Sequence, residues 1–197
     1  MDRSTTGSTR PSSGMTLIEI VIVLGIMSVV TAMGLPRLDM SQYRADAAAA
    51  QVASVFQTAQ RTSLTRQYDV IVSVDTLKNG LRIAEDVNNN GTIEVSEWKF
   101  WRPLGQSNRF VVPPKGLSAP TVTKSVVGAQ LTTIDMMPSV VFHRDGSVSS
   151  NAEMYVASTY RARTDYRAIS VTRATGRSEV FRLGGTGASA TWRSSSR

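Results

Sequence analysis

The residues Asp86 to Glu97, DVNNNGTIEVSE, place side-chain oxygens at the spacing of a twelve-residue calcium loop. Asp86, Asn88 and Asn90 supply side-chain oxygens, and Gly91 permits the sharp turn. Thr92 offers its carbonyl, Glu94 a carboxylate or a water contact, and Glu97 a bidentate carboxylate. Oxygen ligands suit a hard cation such as calcium. The flanking helices of such a loop are missing, because Trp98 to Trp101 alternate as a strand does. Two asparagines also stand where carboxylates bind more strongly. A calcium site and a metal-free turn held by Asx side chains are the two readings.

The second chemistry is cationic. From Tyr160 to the end there are eight arginines against Asp165 and Glu179, and this +6 segment supplies most of the formal net charge of +7. Arg161, Arg163, Arg167, Arg173, Arg177 and Arg182 form the candidate polyanion contact. A field of this sign attracts phosphate backbones, acidic proteins or anionic headgroups. A solvated basic surface is the plainer reading.

The third candidate is a lone carboxylate. Glu19 is followed by sixteen residues without formal charge, Ile20 to Leu35. Met15 to Leu35 as a helix reaches roughly the thickness of a bilayer core. An ionised carboxylate in lipid is costly, so Glu19 needs a partner or a functional reason to be there.

The stretch GMTLIEIVIVLGIMSVVTAMGLP, residues 14 to 36, resembles the N-terminus of type IV prepilins and pseudopilins. That resemblance implies cleavage by a prepilin peptidase after Gly14, N-methylation of Met15, a glutamate at the fifth mature position matched by Glu19, and a proline after the apolar run matched by Pro36. Met15 stands where phenylalanine is commoner. The resemblance implies that Glu19 pairs with the amine of an adjacent subunit, which makes its charge cheaper and fixes axial register. Further on, GLRIAEDVNNNGTIEVSEWKFWRP, PSVVFHRDGSVS and YRAISVTRATGRSEVFRL resemble the head of GspH/FimT-like minor pseudopilins. These serve type II secretion or type IV pilus assembly as single-pass inner-membrane proteins with a periplasmic head, and their partners are other pseudopilins or pilins. Some FimT-like relatives bind DNA through a Gly-Arg-x-Arg motif. Here Gly176, Arg177 and Ser178 are followed by Glu179, which weakens a phosphate clamp.

Composition excludes much else. There is no cysteine, so neither a disulfide nor a thiol nucleophile, and His143 is the sole histidine. No glycine-rich phosphate cradle and no paired-carboxylate site stand out. The expectation is a non-enzyme with no cofactor beyond the calcium reading.

The expected fold is α+β and pilin-like, with a long N-terminal helix packed on a head of antiparallel β-sheets. Residues 1–14 are a leader, 15–36 a transmembrane helix, 37–66 its amphipathic continuation, 67–183 the β-rich head, and 184–197 a flexible tail. Ala45, Ala48, Val52, Val55 or Phe56, and Ala59 recur at helical spacing. One helix is expected from Thr16 to about Thr65, kinked at Pro36. Strands are expected at 68–74, 81–83, 98–101, 110–112, 140–143, 154–157, 168–172 and 179–183, with turns at Asn79-Gly80, Asp145-Gly146 and Thr175-Gly176. Residues 113–138 lack firm periodicity.

Overall fold

The computed structural model describes residues 15–34, 40–105, 107–112, 131–160, 163–185 and 190–195. It divides into two units, Met1–Leu38 and Asp39–Arg197.

The first unit holds α1, Leu17–Gly34. Its residues are apolar all round, and every residue from Met15 to Ala32 is exposed. Its hydroxyls are satisfied within the helix. Ser28 Oγ donates to the Gly25 carbonyl at 2.8 Å, and Thr31 Oγ1 to the Met27 carbonyl at 2.7 Å. No helix among the described residues is long and apolar enough to cross a membrane. The 18 residues of α1 rise about 27 Å. The expected single helix is described as two, because residues 35–39, Pro36 among them, lie outside the described residues.

The second unit opens with α2, Met40–Arg66. It continues through β1 (Asp69–Asp75), β2 (Gly80–Asp86), β3 (Lys99–Pro103), β4 (Asn108–Phe110), β5 (Thr132–Ile134), β6 (Met137–Phe142), β7 (Ala152–Tyr160), β8 (Arg163–Val171), β9 (Ser178–Gly184) and β10 (Thr191–Ser194). The strands make two antiparallel five-stranded sheets, β3-β2-β1-β6-β5 and β10-β9-β8-β7-β4. α2 packs on both. Its stripe of Ala45, Ala48, Val52, Val55, Phe56 and Ala59 is buried as the spacing predicts. It meets Val70, Val72 and Val74 of β1, Leu81 of β2, Met154 and Val156 of β7, and Ile169 and Val171 of β8 in one core. That core lies wholly within Asp39–Arg197, so the head is a self-contained folding unit. Smaller clusters occupy the opposite faces, Ile71, Ile134 and Val141 on one sheet and Tyr155, Ala168 and Phe181 on the other. The Tyr155 hydroxyl donates to buried Glu153 at 2.6 Å, and desolvation with this bond pushes the phenol well above its ordinary range.

Two local expectations change. The β1–β2 link runs through Thr76–Asn79, where Asp75 Oδ1 accepts the Leu77 and Lys78 amides at 2.8 Å each. Gly80 already belongs to β2, so Asn79-Gly80 is not a two-residue hairpin loop. The tail is not uniformly flexible either, because Thr191–Ser194 pairs with β9. Trp98, Phe100 and Trp101 do not enter the core. They are 53 %, 40 % and 37 % exposed, with Trp98 stacked on Phe100 and Lys78 over Trp101. The turns at Asp145-Gly146 and Thr175-Gly176 form as expected, with φ of +84° at Gly146 and +62° at Gly176. A Cβ at Gly176 would stand 2.7 Å from the Gly146 carbonyl and 2.4 Å from Gln60 Nε2, so glycine is required there by space as well as by φ.

Candidate functional site

At the start of α1, Thr16 is the N-cap. Its Oγ1 accepts the Glu19 amide at 3.3 Å, and its carbonyl accepts the Glu19 and Ile20 amides at 3.1 and 3.2 Å. Thr16-Leu-Ile-Glu19 is thus half of a capping box, with Glu19 at the third helical position. A carboxylate in the first turn faces the positive end of the helix dipole. The T-x-x-E spacing was available in the sequence as a helix-start signal. Gly14, the expected cleavage residue, lies outside the described residues.

The Asp86–Glu97 loop is ordered by its own polar groups. Asp86 is fully buried, and its two oxygens accept the Asn90 amide at 3.1 Å and the Gly91 amide at 2.8 Å. Asn88 Oδ1 also accepts from Asn90 N–H, at 3.1 Å, and Asn90 Oδ1 accepts from Thr92 N–H at 2.8 Å. Glu94 Oε1 accepts from the side-chain amides of Asn88 and Asn90, both at 3.0 Å. Glu97 accepts the Val87 and Glu94 amides at 3.0 and 2.9 Å. Gly91 has φ +76°. The sequence spacing therefore closes a loop, with Gly91 at the turn that needs it. Among the described residues no three His, Cys, Asp or Glu are grouped to hold a metal. Of the side chains named for calcium, Asp86, Asn88, Asn90 and Glu97 cap backbone N–H groups and Glu94 accepts from side-chain amides.

Asp86→Ala is therefore expected to lower the melting temperature of the head by the same amount in calcium and in chelator, because it orphans the Gly91 amide and leaves the Asn90 amide only its bond to Asn88. Loss of an Asx-type cap costs about 1–2 kcal/mol. A calcium-dependent rise in melting temperature that Asp86→Ala abolishes would establish the cation reading.

The candidate arginines whose side chains are described do not form one surface. Arg161 and the side chain of Arg163 lie outside the described residues. Arg167 is 3 % exposed, with Nε 2.6 Å from Asp46 Oδ1 and further donation to the carbonyls of Tyr166 and Gln42. It is a buried structural cation and is withdrawn from the polyanion set. Arg182 Nε lies 3.1 Å from the same Asp46 oxygen. Arg173 is exposed, and Arg177 faces Glu179 at 3.5 Å with 71 % of its side chain exposed. Of the four described side chains, Arg173, Arg177 and Arg182 are exposed; Arg173 and Arg177 lie in the β8–β9 turn, and Arg177 and Arg182 each face a carboxylate. His143 pairs with Asp69 at 2.7 Å near the end of β6, as a surface residue does.

A cavity of ≈ 690 Å³ runs between α2 and β3. Ser54, Thr58, Ile83, Trp98, Phe100 and Arg102 line it. β3 is an edge strand.

These features rank the N-terminal segment first, because it joins a first-turn carboxylate to an exposed apolar helix. Residues 9–35 match the prokaryotic N-terminal methylation motif. This match supports a type IV prepilin-like protein, and it implies processing by prepilin peptidase, N-terminal methylation and assembly with other pilin-like subunits. It spans the start of the chain only; the head lies beyond it. Neither a curated protein nor a solved structure shows significant similarity to the chain.

Proposed function

We propose that this chain is a minor pseudopilin, a structural subunit of a type II secretion pseudopilus with no enzymatic activity, anchored in the inner membrane with its head in the periplasm. One observation carries the reading. A helix apolar on every face, with its hydroxyls bonded internally and a single carboxylate in its first turn, matches the methylation motif over its whole length. Such a helix must be covered by lipid or by neighbouring helices. Within a bundle, the Glu19 carboxylate has a natural partner in the new amine that cleavage leaves on Met15 of an adjacent subunit.

A FimT-like minor pilin that captures DNA is the other reading. Burial of Arg167 and the carboxylate beside Arg177 weigh against it, and exposed Arg173, Arg177 and Arg182 are what it retains among the described side chains.

Processing is the test. Intact-protein mass spectrometry of membrane material is expected to show a chain beginning at methylated Met15. Gly14→Val is expected to abolish cleavage, since the peptidase must approach the backbone closely there. A full-length leader persisting in cells with an active prepilin peptidase overturns the reading.

A further inference from the structure

Strand register aligns three arginines. Arg167 of β8 is paired with Arg182 of β9, and Arg182 with Arg193 of β10. Directly opposed residues share a face, so the three stand in one row across three strands. Like charges so placed are destabilising unless an anion lies among them. Asp46 fills that role for Arg167 and Arg182. Exposed Arg193 has no carboxylate partner among the described residues. The row lines a polar cavity of ≈ 370 Å³ with Gln42, Asp165 and Ser194. Asp165, the other carboxylate in the wall, accepts a hydrogen bond from buried Ser41. Ser41 and Gln42 belong to the first turn of α2, which holds no acidic residue. The positive end of the α2 dipole therefore adds to the arginine field.

We propose that the open end of this row, Arg182 and Arg193, is a docking site for an anionic phospholipid headgroup, with Arg193 as its outer contact. The proposal rests on the reading of α1 as a membrane anchor. Met40 follows Gly34 by six positions in the chain, and six residues reach at most about 21 Å. That short link is the covalent tether between the anchor and the head. A phosphodiester presents two oxygens to a guanidinium fork, and the polar walls do not suit an acyl chain.

The head from Asp39 onward can be mixed with vesicles of phosphatidylcholine alone, or of phosphatidylcholine with about 30 % phosphatidylglycerol, and bound protein read by sedimentation. Binding to the anionic vesicles alone is expected. Arg193→Ala should weaken it about fivefold, the share of one arginine near such a surface. Arg173→Ala removes the same charge from the β8–β9 turn and should leave binding within about twofold, since its distance from the row is screened. Equal losses from the two substitutions would reduce the effect to net charge and overturn the proposal, as would absence of binding or equal binding to neutral vesicles. Release by millimolar inorganic phosphate at constant ionic strength would identify a free-phosphate site instead. Arg193-dependent preference for duplex DNA over vesicles would reassign the row to nucleic acid. Cleavage and methylation at Met15 are measured independently, so failure here is distinguishable from failure of the pseudopilin reading.

Discussion

Asp46→Ala is expected to destabilise the head by about 3 kcal/mol, the lower end of the range for breaking a buried ion pair, because Asp46 itself is partly solvated. Its Oδ1 is shared by Arg167 at 2.6 Å and Arg182 at 3.1 Å, and only 4 % of the Arg167 side chain is exposed. Removing the carboxylate leaves a guanidinium buried without an anion and directly opposite a second one. The loss should appear as a lower urea midpoint with an unchanged slope. Asp46→Ala combined with Arg167→Met should recover much of it, since replacing both partners by apolar groups is far milder than removing one. If Asp46→Ala unfolds at the same urea concentration as Glu179→Ala, a half-buried carboxylate whose partner Arg177 is solvated, the pair is not holding the helix to the second sheet.

Glu19→Ala is expected to leave α1 helical and inserted while reducing association with neighbouring subunits about hundredfold, the effect of leaving one member of a low-dielectric ion pair alone. The structure separates the two roles of this residue. The cap is made by the Glu19 amide donating to Thr16, not by the carboxylate. Glu19→Ala therefore keeps the helix start, and Glu19→Gln keeps both start and shape without the charge. Both should fail in membrane crosslinking at equal protein levels. Thr16→Ala should cost only about 1 kcal/mol of helix initiation. Normal crosslinking of Glu19→Gln would show that shape, not charge, sets the contact.

Much of the head could be read from periodicity. The α2 stripe and the strands built around Val70, Val140, Met154 and Ile169 are apolar at the spacing of their element, and the same residues form the core. β10 escaped because TWRS has no apolar alternation and sits in a Ser/Gly-rich tail; only its pairing with β9 makes it a strand. Arg167 was misread for a related reason. A charge in YRAISV looks solvated, yet strand parity puts it on the side of Ile169 and Val171, facing the core. Its counter-ion lies 121 positions earlier in the chain, a distance over which no local pattern operates. The Asp86–Glu97 spacing did forecast an ordered loop with Gly91 at φ +76°, because ligand spacing and Asx-turn spacing draw on the same backbone geometry.

Gln60 extends from α2 to the carbonyls of Gly146, between β6 and β7, and Thr175, between β8 and β9, at 3.0 and 2.5 Å. Among the described residues, no strand of one sheet pairs with a strand of the other. The helix is therefore the tie rod of the head. A pull arriving at Met40 runs along an element braced on both plates and pinned near its far end, so the load is carried in shear by side chains of both sheets together. Peeling strands one hydrogen bond at a time would require the force to enter at a sheet edge, and the chain does not deliver it there.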